Sequence, residues 1–178
     1  ANTHDMESSM TRVCIIGGAG FIGNHLTESL LKNSRYEIDI VDNFSRFSEQ
    51  GSERLSSPNI TYIEMDIANS FDPSRLSDYY EQTYLLASVV GVDYVLEHPT
   101  FVLSENMRII NNVFSWLKTG PTKRILFTST SEVYAGAVEE DIATVPTPED
   151  VPVVVQDIKH PRFTYAITKA YGESLFLN

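Results

Sequence analysis

Tyr165 and Lys169 stand four residues apart in a stretch whose apolar residues recur at helical spacing, so one turn of helix brings them to the same face. At that spacing an ammonium can stabilise a phenolate. A free tyrosine, with a pKa of about 10, is a poor base at neutral pH without such help. A second set of chemically able side chains, Ser129, Thr130, Ser131 and Glu132, follows the apolar run Lys123 to Phe127. Three hydroxyls and a carboxylate just past a strand can order and deprotonate a ligand. The same residues also read as a polar strand exit, with Glu132 a solvated carboxylate that caps or turns the chain.

The third feature is Val13-Cys14-Ile15-Ile16-Gly17-Gly18-Ala19-Gly20-Phe21-Ile22-Gly23, an apolar strand running into a three-glycine turn and then a helix. Gly17 allows the tight turn, Gly20 lets backbone approach a pyrophosphate, and Gly23 lets the helix pack against the sheet. The helix start then offers unpaired N–H groups to phosphates, which points to a dinucleotide. Asp42 ends the next apolar run, Tyr36 to Val41, about 25 residues after Gly17, where a carboxylate can accept from an adenosine ribose. Its charge would repel a 2′-phosphate and so favours NAD over NADP, with Arg46 the opposing signal. Asp42-Asn43 also reads as an ordinary turn after a strand.

These groups need a frame, and the pattern supplies one. Strands are expected at Thr11 to Ile16, Tyr36 to Val41, Ile60 to Met65, Tyr84 to Val90 (passing into a loop) and from Lys123 to Phe127. Phe21, Ile22, Leu26, Leu30 and Leu31 give the first helix. Further helices are expected at Pro73 to Tyr80, after Pro99 through Met107, Ile110, Val113, Phe114 and Leu117 to a stop at Gly120-Pro121, and at Tyr165 to Leu177. Gln50 to Asn59 reads as a surface connection and Ala135 to Pro161 as a long loop, with a short strand at Val151 to Val155. Alternating strands and helices imply an α/β fold, a doubly wound parallel sheet of Rossmann type with ligands beyond the carboxyl ends of the strands.

Composition bounds the rest. With 178 residues, 42% of them hydrophobic, the chain can bury the core of one domain. A formal net charge of -11 argues against a sequence-independent grip on nucleic acid. The single cysteine, Cys14, has no internal partner and suits a core position in a protein of the reducing cytosol. Residues 1 to 9 read as an expression tail ahead of Met10, and no apolar run reaches the length of a membrane span. His4, His25, His98 and His160 show no ligand spacing, so no metal is assigned.

Taken in order, Gly17-Gly18-Ala19-Gly20-Phe21-Ile22-Gly23, Val41-Asp42-Asn43, Leu86-Ala87-Ser88, Ser129-Thr130-Ser131-Glu132-Val133-Tyr134 and Tyr165-Ala166-Ile167-Thr168-Lys169 resemble the extended short-chain dehydrogenase/reductase family. Within it they are similar to the nucleotide-sugar epimerases, dehydratases and decarboxylases. The resemblance runs from about Met10 to the last residue. It implies bound NAD, with the glycine turn and its Phe21 and Ile22 on the cofactor, Asp42 and Asn43 on the adenosine side, and Asp66-Ile67 near the adenine. Leu86, Ala87 and Ser88 would line the cofactor on the way to the nicotinamide. By the same resemblance Tyr165 removes a proton from a sugar hydroxyl and Thr130 orders that hydroxyl. Lys169 holds the nicotinamide ribose and lowers the tyrosine pKa.

The substrate implied is a nucleoside-diphosphate sugar, oxidised at C4 and then dehydrated or epimerised. In the dehydratases a glutamate at the position of Glu132 removes the C5 proton; here Ser131 stands where many of them carry an aspartate. The Thr-Ser-Glu arrangement is also similar to UDP-glucuronate decarboxylases, and a non-catalytic NAD-binding module is the other alternative. Ile16, Leu85 and Ala135 depart from the usual threonine, histidine and glycine. The family implies a homodimer through a helix pair, for which the helices around Val113 and Tyr165 are candidates. Members usually run much longer, so the chain is expected to lack a carboxyl-terminal substrate region.

Overall fold

The computed structural model describes residues 10–46 and 54–178; the expected tail, with His4, and part of the Gln50 to Asn59 connection lie outside the described residues. Five parallel strands form one sheet in the order β3-β2-β1-β4-β5. They are β1 (Thr11–Ile16), β2 (Tyr36–Asp42), β3 (Ile60–Glu64), β4 (Gln82–Leu85) and β5 (Ile125–Phe127). This is the expected Rossmann-like order, in which the chain winds outward from β1 in one direction and then returns to wind in the other.

The chain divides into two compact units, one holding the residues up to Ala87 with Trp116–Leu126, the other Ser88–Ser115 with Phe127–Asn178. In the first, Val13, Ile15, Ile38 and Ile40 form a core with no more than 1% exposure, and Leu26, Leu30 and Leu31 of α1 (Phe21–Leu31) pack on it. Register fixes the strand ends: Ile16 lies beside Val41 on one side and Leu85 on the other. Cys14 is fully buried, and burial drives its thiol pKa upward, so it behaves as a small core residue. Phe21 and Ile22, whose spacing with Leu26, Leu30 and Leu31 gave the first helix, are 70% and 61% exposed. They occupy its first turn, beyond the carboxyl end of β1, where no strand lies beneath them.

The helix expected at Pro73 to Tyr80 is a single 3-10 turn, Pro73–Arg75. Asp72 caps Ser74 N, but Leu76 is already extended (φ -95, ψ 163). Tyr80 explains the stop: it is fully buried, its N donates to Pro121 O at 2.7 Å and its hydroxyl to Asp39 Oδ2 at 2.6 Å. Those long-range bonds outweigh a weak local helix preference.

In the second unit two helices are found where loops were expected. The first is α2 (Val92–Glu97), entered through Gly91 at φ 122 and followed by α3 (Pro99–Leu117). The other is α4 (Ala135–Glu139), which continues a 3-10 turn at Ser131–Tyr134. It closes where Ile142 N and Ala143 N both donate to Ala137 O, at 2.8 and 3.0 Å. Both are short enough that periodicity cannot announce them. The remainder, including Val151 to Val155, forms no regular element, and the expected short strand is absent. α5 (Pro161–Leu177) starts earlier than expected because His160 Nδ1 accepts from Arg162 N at 3.2 Å and Pro161 fills the first helical position. Phe176 of α5 packs on Phe127 and Phe114, and Gly172 meets the Phe127 ring.

Candidate functional site

The first unit presents a turn made almost entirely of backbone. Gly17 N donates to Val41 O at 2.7 Å, and Gly17 adopts φ +81. A Cβ there would sit 2.3 Å from Ala87 N, so both conformation and space demand glycine. At Gly23 a Cβ would lie 2.3 Å from Gly18 O, which seats α1 against the turn. Gly20 differs. Its Cβ would meet only Gly17 O, at 3.8 Å, and its φ of -80 suits any residue. Among the described residues nothing requires glycine at 20. Gly20 also caps α1 without a side-chain acceptor, leaving first-turn N–H groups for an anion. An open glycine face beside unclaimed helix amides fits a dinucleotide pyrophosphate.

Asp42 has a role that spacing alone did not reveal. Its Oδ2 accepts from Ala19 N at 3.0 Å and its Oδ1 from Phe44 N at 2.9 Å, so the end of β2 is tied to the glycine turn. Each carboxylate oxygen retains acceptor capacity for a ribose hydroxyl. Asn43 Oδ1 accepts from Ser45 N at 3.1 Å and Ser45 Oγ at 2.8 Å, turning the chain. Asp66 similarly receives Ala68 N at 2.9 Å and Asn69 N at 3.2 Å, while Ile67 is buried. Leu86 N and Ala87 N both donate to Ile16 O, at 2.8 and 2.9 Å, which fixes the strand exit beside Gly17.

The second unit gathers side chains. Ser88, Thr130, Glu132, Tyr165 and Lys169 all belong to it. Ser88 lies near the Tyr165 hydroxyl and opposes the rise in its pKa, while Ser88 Oγ donates to Asn106 Oδ1 at 3.1 Å. Asn106 is 2% exposed and further accepts from Val89 N at 2.7 Å while donating to Val89 O at 3.1 Å. It braces the strand exit carrying Ser88. Sequence reasoning missed it; the only signal was a polar residue among the apolar positions of α3.

Lys169 is 3% exposed, and its Nζ donates to Thr128 O at 2.8 Å. It lies 4.8 Å from the Phe127 ring centroid and 5.6 Å from that of Tyr165. Burial brings its pKa down to about 8. Burial raises the Tyr165 phenol pKa, and only the nearby Ser88 hydroxyl opposes the rise. The lysine lies over the ring rather than at the hydroxyl, so in this state its charge does not lower the tyrosine pKa. Thr130 Oγ1 accepts from Glu132 N at 3.3 Å and caps the following 3-10 turn. Ser129 Oγ donates to Glu173 Oε1, joining the β5 exit to α5.

Glu132 is neither free nor simply solvated. Its Oε2 accepts from Arg162 Nε at 2.6 Å, and Arg162 Nη1 donates to Glu139 Oε1 at 2.8 Å. Arg162 is a second functional candidate that the sequence did not disclose, since both partners lie more than twenty residues away. The arrangement supplies a phenol for proton exchange, a nearly buried cation beside it, and an oriented carboxylate.

Comparison with known proteins places these residues in context. Residues 13–178 match the family described as NAD dependent epimerase/dehydratase. A UDP-N-acetyl-alpha-D-glucosaminuronate decarboxylase of Bacillus cytotoxicus is 32% identical over 169 residues, covering 94% of this chain and 50% of that protein. Among solved structures, a UDP-galactose 4-epimerase superposes with a TM-score of 0.72 at 27% identity, covering 93% of this chain and 50% of the other. A NAD dependent NDP-hexosamine 5,6-dehydratase involved in tunicamycin biosynthesis gives 0.70 at 27%, covering 93% and 48%. The chain thus spans about half the length of these relatives. With its glycine turn, its Tyr165 and Lys169 and a match over nearly its whole length, the chain belongs to the NAD dependent epimerase/dehydratase family.

Proposed function

We propose that the protein carrying this chain is an NAD-dependent nucleotide-sugar epimerase/dehydratase that oxidises its sugar at C4. Gly17, Gly20, Phe21, Ile22 and Gly23 would hold the pyrophosphate region, Asp42 and Asn43 the adenosine ribose, and Asp66 and Ile67 the adenine. Leu86, Ala87, Ser88 and Lys169 would hold the nicotinamide half. Bound NAD supplies the hydride acceptor and, later, donor. The observation that carries the reading is Tyr165 with the nearly buried Lys169 ammonium over its ring, 5.6 Å from the ring centroid, one helical turn away on α5.

In this reading Tyr165 takes the proton of the C4 hydroxyl, while Thr130 orders that hydroxyl. The raised phenol pKa means that deprotonation needs positive charge beyond Lys169, so base strength develops only in the loaded site. Glu132 then serves the ketone stage by taking a proton from the carbon beside C4. The relationship to a decarboxylase at 32% identity supports a second reading, loss of carbon dioxide from a uronate sugar. A homodimer is part of the proposal.

Incubating the full-length protein with a panel of sugar nucleotides tests it. Loss of water, loss of carbon dioxide or an unchanged mass with inverted C4 separates the three chemistries. No conversion and no reduced-cofactor absorbance with any sugar overturns the reading.

A further inference from the structure

Arg162 lies on α5 one turn ahead of Tyr165 and is held at two points by carboxylates from the segment after β5. Glu132 takes its Nε–H at 2.6 Å and Glu139 of α4 takes Nη1–H at 2.8 Å. We propose that Arg162 is the positioning residue of the reaction, gripping Glu132 through Oε2 so that Oε1 is presented for proton transfer from the sugar. This rests on the function proposed above.

Three observations support it. The pair is 44% and 35% exposed, where an ion pair adds little to stability, so fold maintenance does not account for it. The guanidinium is a planar fork whose second edge is pinned by Glu139, which removes the swing a single contact would leave. The Glu132 turn is itself fixed from the other side, through Thr130 Oγ1. Among the described residues Glu132 Oε2 is committed to Arg162, and no hydrogen bond involves Oε1.

The C–H bond beside the C4 carbonyl breaks, its electron pair passes into that carbonyl as an enolate, and the proton goes to Glu132 Oε1. Arg162 remains cationic and exchanges no proton.

The test uses the full-length protein in deuterium oxide, reading cofactor reduction on mixing with the sugar nucleotide, deuterium entry at the carbon beside C4, and kcat against KM. Arg162→Gln is expected to lower kcat and deuterium entry about 100-fold, with KM changed by less than about threefold and cofactor reduction retained. Arg162→Lys, which keeps the charge but loses the fork, should recover about tenfold of that loss. Glu132→Gln combined with Arg162→Gln should fall no more than about threefold below Glu132→Gln alone, because the two act as one unit. Turnover of Arg162→Gln within about threefold of the parent, or losses that multiply in the double variant, overturns the proposal. If Arg162→Gln fails to fold, Arg162→Lys carries the test, and parent-like deuterium entry in it is the overturning result. A parent that reduces cofactor while the arginine variants behave normally defeats only this proposal; a parent that never reduces cofactor defeats the proposed function as well.

Discussion

The glycine turn of the first unit and the charged cluster of the second are built by different means. At Gly17 and Gly23 the geometry is dictated by backbone, with no room for a Cβ, and the Asp42 carboxylate ties that turn to the end of β2. Around Tyr165 everything depends on side chains drawn from α3, α5 and the segment after β5, each adjusted by burial or by a partner. A backbone site tolerates almost no substitution at a few positions. A side-chain site tolerates substitution structurally but changes its chemistry.

The largest expected effect breaks the chemistry while sparing the fold. Tyr165→Phe should lower turnover about 1000-fold, as loss of a general base does, with the melting curve nearly unchanged. A variant within a few-fold of the parent would remove the tyrosine from the reaction. Gly23→Ala should do the converse, destabilising the chain by about 3 kcal/mol or more, because its Cβ would meet backbone at 2.3 Å. Urea melts measure this directly.

Lys169 sharpens the contrast, since burying its ammonium costs stability. Its folded pKa of about 8 lies below the usual 10.5, so the unfolded chain binds more protons between those values. Stability therefore carries the full penalty below about pH 8 and recovers as pH rises toward 10.5. Lys169→Met should gain about 1 to 2 kcal/mol at neutral pH, less than the shift alone implies because the bond to Thr128 O is lost. The gain should shrink when both proteins are melted at about pH 9.5. An advantage independent of pH would contradict the burial argument.

The smallest effect on stability belongs to Gly20→Ala. With open space around its Cβ, this change should cost less than about 1 kcal/mol while weakening NAD binding about tenfold or more, measured by titration calorimetry. Unaltered NAD affinity would mean that Gly20 does not face the pyrophosphate.

The same division explains what could be read before any coordinates. β1, β2, β3, β5, α1 and the glycine turn were legible because hydrophobic runs and glycines report local geometry, whereas β4, expected at Tyr84 to Val90, is Gln82–Leu85, and the strand expected at Val151 to Val155 is absent. The Tyr165 and Lys169 pairing was legible for the same reason, being one helical turn. α2 and α4 were not, since five or six residues do not establish a period. Nor was the stop after Arg75, which is set by Tyr80 reaching Asp39. Asn106 and Arg162 escaped notice because their roles lie in partners 17 or more residues away, and no spacing rule encodes such a meeting. Where the Lys169 ammonium meets Tyr165 was not legible either, because proximity along a helix does not say whether it reaches the hydroxyl or the ring.

The double grip of Asp42 on Ala19 and Phe44 has a thermodynamic consequence. Both bonds lie within the chain, so the turn takes its shape from its own residues, and association with this unit should order ligand and solvent rather than polypeptide. The heat-capacity change should then reflect only surfaces brought into contact, with no contribution from chain that condenses on binding. Asp42→Ala should therefore add the entropy of ordering this loop to the cost of association.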